Sequence, residues 1–130
     1  MTDITNEEDI KFLLDNFYQK VLKDHQIAYI FTDIAKINLQ EHMPRIYRFW
    51  ESVLLHKAGY SGNPILTHIE LDKKVKLKDE HFEQWKKLFV ETLDQHFEGA
   101  NVLLAKQRVD AMIFLMKMKI NDAQKNGFIQ

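Results

Sequence analysis

The chain has 130 residues, of which 45% are hydrophobic and 28% charged, as expected for one globular domain with its own core. Its net charge of -1, with Lys and Arg mixed among Asp and Glu, argues against nucleic-acid binding. The absence of cysteine excludes disulfides, thiolate metal sites, a nucleophilic cysteine and covalent cofactor attachment through Cys-x-x-Cys-His.

Helical periodicity dominates the chain, because apolar residues recur every three or four positions and only four glycines and two prolines occur. We therefore expect a single all-α domain over residues 1–130. The first ten residues, MTDITNEEDI, are acidic and polar, unlike a signal peptide, and no apolar run reaches the roughly 18 residues of a membrane span. A cytoplasmic protein without a membrane contact is the expectation.

The first predicted helix begins near a capping box formed by Thr5 and Glu8. Its core face is predicted to carry Ile10, Leu14, Phe17 and Val21. Tyr18 lies beside that face. A short helical turn is expected over residues 27–31, where three apolar residues cluster.

The second predicted helix runs from about Leu39 to His56, with Asn38 and Glu41 as a possible cap pair. Pro44 implies either that the regular helix starts near Met43 or that its first turn is distorted. One face of this helix is predicted to carry His42, Ile46, Phe49 and Val53. An imidazole on an apolar face has three explanations: a hydrogen-bonded core histidine, a metal ligand, or a residue facing a bound cofactor.

The rest of the chain predicts a turn and three more helices. In AGYSGNP, Asn63 is a candidate N-cap and Pro64 the first residue of a short helix through His68. Asp79 is expected to cap a long helix that ends near Phe97, before a C′ glycine at residue 99. The core face of that helix is predicted to comprise Phe82, Trp85, Phe89 and Leu93. The core face of the last helix, about residues 101–120, is predicted to comprise Val102, Ala105, Val109, Met112, Met116 and Ile120.

Histidine spacing excludes the familiar metal motifs. None of the six histidines belongs to a His-Glu-x-x-His motif, and none has a glutamate three residues before it. A P-loop, a Gly-x-Gly-x-x-Gly and a Gly-x-Ser-x-Gly are also absent. His42 and His68 remain as a pair that could flank a flat cofactor, since one imidazole suffices to hold a haem iron. The aromatic residues at core-facing positions are by themselves more typical of packing than of a cofactor site.

The order of these residues resembles a known family. Phe17-Tyr18 and Phe31 are followed by His42-x-x-Arg45-Ile46-x-x-Phe49-Trp50, by Tyr60-x-Gly62-x-Pro64-x-x-x-His68, and by Phe82-x-x-Trp85. This pattern is similar to that of the truncated haemoglobins, specifically their third subgroup, over about residues 7–120. The adjacent-glycine pairs of the other subgroups are missing, as that subgroup implies. The resemblance implies a truncated globin fold, a helical sandwich enclosing a haem.

The resemblance also implies roles for single residues. His68 would be the proximal ligand of the iron in a non-covalent haem b, and Tyr18, His42 and Trp85 would lie on the distal side. Phe31 and Phe49, with Ile46 and Phe82, would form the porphyrin wall. Arg45 would pair with a haem propionate, although a solvated surface arginine is an equal alternative. Lysines 73, 74, 76 and 78 could also approach a propionate, but a charged run is usually solvated.

A polar distal pocket limits the functions to be expected. Each donor aimed at a partly negative diatomic ligand contributes roughly 1.5 to 3 kcal/mol. We therefore expect binding of O2, NO, CO or similar ligands for holding or for chemistry, such as NO dioxygenation or a peroxidase-like reaction, rather than bulk transport. Either reaction would need a reductase that the sequence does not identify. His42 could bind the iron directly or act as a gate. The alternative from another class is a haemless all-helical interaction module.

Overall fold

The computed structural model describes residues 1–34, 38–57 and 77–126. This part of the chain contains no strand, which confirms the predicted all-α class. Its elements are α1 (Glu7–Lys23), a π-helical turn (Ile30–Ile34), α2 (Leu39–Leu54), α3 (Asp79–His96) and α4 (Ala100–Asn126). None of the helices in these ranges is long and apolar enough to cross a membrane. Helix α1 packs against α2 and α3, and α4 packs against α2 and α3.

Helix α1 begins one residue later than the predicted capping box. Asn6 is the N-cap, and its side-chain oxygen accepts the backbone N–H of Asp9 at 2.8 Å. The Asp9 carboxylate in turn accepts the backbone N–H of Thr5 at 3.0 Å. The expected Thr5–Glu8 pair is therefore wrong, because asparagine caps at least as well as threonine and places an acidic residue three positions on.

The predicted core face of α1 is confirmed, since all four of its residues are fully buried: Ile10, Leu14, Phe17 and Val21. Phe17 sits at the centre of an aromatic core, with its ring 5.2 Å from Phe89 and 5.0 Å from Trp85. Trp50 of α2 stacks on Phe89 at 5.1 Å. Contacts of this kind fix the distances between helices, because aromatic rings bury large areas and prefer defined geometries.

Helix α2 buries a different face from the expected one. Its buried residues are Met43, Trp50 and Leu54, whereas the predicted face is only half-buried. The two stripes are offset by one residue, so they lie about 100° apart on the helix. The half-buried stripe consists of His42, Ile46, Phe49 and Val53.

The predicted start of α2 at about Leu39 is confirmed. The side chain of its N-cap, Asn38, accepts the backbone N–H of Gln40 at 3.1 Å. Of the two alternatives that Pro44 implied, a regular start near Met43 is therefore wrong. Pro44 lies inside the helix and removes one backbone donor, a cost that the packing of the buried face offsets.

Two predicted features at the ends of α3 are also corrected. Asp79 is the first helical residue rather than the cap, and the backbone N–H of the N-cap Lys78 donates to Nδ1 of His81 at 3.0 Å. The helix ends at His96, with Phe97 as its C-cap, so Gly99 is not the C′ residue.

Gly99 instead precedes α4 and packs against Asp3. Its φ of +148° favours glycine, and a Cβ atom there would lie 2.5 Å from Cγ of Asp3. The Asp3 carboxylate accepts the backbone N–H groups of Asn101 at 2.9 Å and Val102 at 3.2 Å. The N-terminal segment therefore caps α4 from almost a hundred residues away.

The predicted core face of α4 is confirmed except at one position. Met112 is half-buried, and Ile113 is buried instead. The buried residues are Val102, Ala105, Val109, Ile113, Met116 and Ile120.

Candidate functional site

The centre of the candidate site is a contact between α1 and α3. Tyr18 of α1 and Trp85 of α3 both contact the ring of Phe17, at 4.8 Å and 5.0 Å. Tyr18 is 9% exposed. Burial raises the pKa of Tyr18 well above its ordinary value, and the nearby Trp85 indole, which can only donate, opposes this only in part. Tyr18 is therefore a neutral hydroxyl held at a fixed place.

Aromatic neighbours hold this pair. The ring of Phe31, in the π-helical turn, meets the ring of Tyr18 edge-on at 6.2 Å. Phe17 meets Tyr18 at 4.8 Å, also edge-on. Phe89 stacks on Trp85 at 5.5 Å with the two planes only 6° apart. Both polar tips therefore belong to rings with little freedom to rotate.

The half-buried stripe of α2 joins the same cluster. Phe49 contacts Trp50 edge-on at 5.4 Å, and Trp50 stacks on the Phe89 ring that also supports Trp85. Ile46 packs against the core while remaining partly exposed. His42 lies one turn before Ile46 and is half-buried as well. The histidine is thus on a helix face that borders the core rather than inside the core.

Phe82 borders a cavity of about 190 Å³ between the start of α3 and the end of α4. The cavity is lined by Leu77, Lys78, Asp79, Phe82, Lys117, Ile120 and Asn121. The ammonium group of Lys117 lies 5.8 Å from the centre of the Phe82 ring and 3.5 Å from both Asp79 and Glu83. The cavity therefore has an apolar floor and a charged rim.

The remaining predicted site residues are exposed or lie outside the described ranges. Arg45 is exposed on α2, and Lys78 is exposed at the N-cap of α3. His68, Asn63, Pro64 and the lysines at 73, 74 and 76 lie outside the described residues. Within the described ranges no three His, Asp or Glu side chains form a group that could hold a metal ion.

Comparisons with known proteins agree with this arrangement of helices. The family of bacterial-like globins matches residues 2–121. The group 3 truncated hemoglobin ctb of Campylobacter jejuni is 34% identical over 114 residues, which cover 84% of this chain and 87% of that protein. The chain is a group III truncated haemoglobin.

A solved structure supports the same assignment. The crystal structure of group III truncated hemoglobin from Campylobacter jejuni matches with a TM-score of 0.77 at 30% identity, covering 91% of this chain and 94% of that chain. Membership of the truncated globins implies a haem-binding protein that takes up small diatomic ligands. The haemless interaction module is not favoured.

The described residues of this globin include the side-chain types that a haem needs. A porphyrin needs apolar walls and a few polar groups at its centre and edge. Partly exposed apolar side chains border the core at Phe31, Ile46 and Phe49, and Tyr18 and Trp85 bring polar tips to the same aromatic cluster. Leu77, which lines the cavity beside Phe82, was not predicted as a site residue from the sequence. The sequence signal at this position is an apolar residue within a run of lysines.

Proposed function

We propose that this globin binds haem b non-covalently, with His68 as the proximal ligand of the iron and Tyr18, His42 and Trp85 on the distal side. The observation that carries the proposal is that Tyr18 and Trp85, each with a polar tip, pack together against the ring of Phe17 at 4.8 Å and 5.0 Å. An ordinary apolar core has no need of a hydroxyl and an indole N–H, and burying them adds a desolvation cost. A polar ligand beside the hydroxyl and the indole N–H would give these groups a hydrogen-bonding partner.

Four apolar residues supply the porphyrin wall in this proposal: Phe31, Ile46, Phe49 and Phe82. Their partial exposure, except for Phe82, suits side chains that contact a cofactor as well as the core. Arg45, exposed three residues after His42, is proposed to pair with a propionate, where its planar guanidinium can meet a carboxylate. When bound, haem supplies an iron centre that takes up a diatomic ligand.

Tyr18 is the proposed donor to that ligand. In this proposal the indole N–H of Trp85 donates to the tyrosine oxygen, so the proton of the hydroxyl is not used in that bond. The raised pKa keeps that proton on the oxygen throughout the physiological range. Trp85 therefore orients the hydroxyl, and Tyr18 directs its O–H towards a ligand atom that carries partial negative charge.

Strong donors of this kind favour retention of O2, NO, CO or similar ligands over rapid release. The proposed role is accordingly ligand holding or O2/NO chemistry, either NO dioxygenation or a peroxidase-like reaction, with electrons from a reductase. Donors placed before the ligand binds stabilise developing charge without reorganisation.

His42 has two proposed roles that an optical spectrum separates. A six-coordinate spectrum of the ligand-free ferrous protein, lost in His42→Ala, would identify His42 as a direct iron ligand. A five-coordinate spectrum would assign it to the pocket wall or its entrance. Its half-buried position on α2 is compatible with both roles.

Reconstitution with hemin tests the proposed function. The purified chain is expected to bind one haem and to show an intense absorption band at the blue edge of the visible spectrum, which His68→Ala abolishes. His25→Ala is the matched control, because His25 is exposed in the turn after α1 and is expected to leave the spectrum unchanged. A protein that stays colourless with hemin, or an unchanged spectrum in His68→Ala, would refute the proposal.

A further inference from the structure

A polar link between the C-terminal end of α1 and helix α3 lies next to Trp85. The side-chain amide of Gln84 donates from Nε2 to Oδ2 of Asp24 at 2.6 Å, and the bond is partly buried. Gln84 immediately precedes Trp85 in α3, and Asp24 is the C-cap of α1. The Gln84–Asp24 bond and the contact of Trp85 with Phe17, the neighbour of Tyr18, therefore join the same two helices at adjacent positions of α3.

Asp24 is itself firmly anchored. Its other carboxylate oxygen, Oδ1, accepts the backbone N–H groups of Gln26 at 2.8 Å and Ile27 at 3.1 Å. The backbone N–H of Asp24 donates to the carbonyl of Val21 at 3.2 Å. Ile27 is only 1% exposed, so the turn that Asp24 organises is fixed to the core. A donor that binds this carboxylate is bound to a rigid point.

We propose that Gln84 is a positioning residue, which holds α3 against the Asp24 turn so that the Trp85 indole reaches Tyr18. The proposal rests on the distal role given above to Tyr18 and Trp85. A hydrogen bond to a carboxylate is stronger than one between neutral groups, and this one acts one residue away from the indole. Small displacements at such a distance are sufficient to misalign a donor.

The chain contains a matched control. Lys20 and Gln95 also join α1 to α3, through a bond of 2.5 Å between Lys20 Nζ and Gln95 Oε1. Gln95 lies about 15 Å along the helix from Trp85 at 1.5 Å per residue. Gln95→Leu removes the same kind of side-chain link from the same pair of helices without touching the site.

The indole N–H resonance of Trp85 in the full chain, followed by ¹⁵N-edited NMR, measures the positioning without any ligand chemistry. Trp85→Leu identifies the resonance by deleting it. In Gln84→Leu the resonance is expected to move and broaden, whereas Gln84→Lys, which restores a donor to Asp24, is expected to keep it near its original position. Gln95→Leu is expected to leave it unchanged.

The O2 dissociation rate of the haem-loaded protein is the second measurement. Gln84→Leu is expected to raise it roughly three- to tenfold, within the range of couplings between contacting residues, and Gln84→Lys to return it towards the original rate. A resonance that stays in place in Gln84→Leu, or that moves equally in Gln95→Leu, overturns the positioning role. If the resonance moves as expected but Trp85→Leu leaves O2 dissociation unchanged, the proposed distal function fails while the positioning of Trp85 by Gln84 stands.

Discussion

The substitution Tyr18→Phe removes one oxygen atom from the centre of the candidate site while keeping the ring and its edge-on contacts with Phe17 and Phe31. Both hydrogen bonds proposed for that oxygen disappear with it: the one accepted from the Trp85 indole and the one donated to the ligand. The substitution therefore has one effect on stability and a separate effect on ligand release.

The sizes of the two effects differ. Trp85 loses its acceptor but is itself only partly buried, so the free energy of unfolding is expected to fall by about 1 kcal/mol, the low end for an unsatisfied donor. The ligand loses a donor worth about 1.5 to 3 kcal/mol, which corresponds to about a 10- to 150-fold faster O2 dissociation. Because Trp85 acts through Tyr18, the double variant Tyr18→Phe/Trp85→Leu is expected to release O2 less rapidly than the two single effects combined would give.

Stopped-flow measurement of O2 dissociation from the ferrous haem-loaded protein tests this prediction, with denaturant unfolding of the same samples for the stability term. Tyr29→Phe is the control, because Tyr29 is 38% exposed and its hydroxyl lies 3.4 Å from Nε2 of His81 rather than beside Trp85. An O2 dissociation rate that stays the same in Tyr18→Phe, or single effects that simply multiply in the double variant, would refute the reasoning.

Three further outcomes are expected. Asp3→Ala removes the remote cap of α4 and is expected to lower the free energy of unfolding by about 1 to 2 kcal/mol in urea titrations; an unchanged midpoint would contradict the capping role. Gly99→Ala is expected to cost at least as much in the same assay, since its Cβ would displace Asp3 and strain the backbone, and a neutral result would count against that contact. Burial raises the pKa of both Tyr18 and Tyr47, and for Tyr47 the acceptor Asp15 is a further cause. Both tyrosines are therefore expected to resist ionisation in an ultraviolet titration above about pH 10 and to lose their contribution to stability as the pH rises further. Normal titration of all tyrosines would contradict this.

The tertiary structure resolves the position of His42. Periodicity placed an apolar stripe on α2 and aligned the imidazole with it, but α2 carries two apolar stripes one residue apart. Packing against α1 and the aromatic core selected the stripe with Met43, Trp50 and Leu54 and left the one with His42 at the border. Nothing in the sequence of α2 alone ranks these stripes, since each is apolar enough to be buried.

The helix caps were also predicted only in part from the sequence. Local rules found the neighbourhood of each helix start but placed the α1 cap one residue early, because several residues near it can accept the same N–H groups. The cap that Asp3 gives to α4 could not be found locally at all, since it joins residues far apart in the chain. The glycine at position 99 indicated a special backbone conformation, but only the tertiary structure shows that Asp3 packs against it and leaves no space for a Cβ atom.

The sequence by itself determined the helices, because helical periodicity depends on local spacing. Its resemblance to a known family supplied the candidate site residues Tyr18, His42 and Trp85. The tertiary structure decided that Trp85 and Tyr18 meet around the ring of Phe17 and that Gln84 is hydrogen-bonded to Asp24 beside them. These contacts join helices that are distant in the chain. Their formation depends on how large rings fill the space between α1, α2 and α3, and no local propensity specifies that.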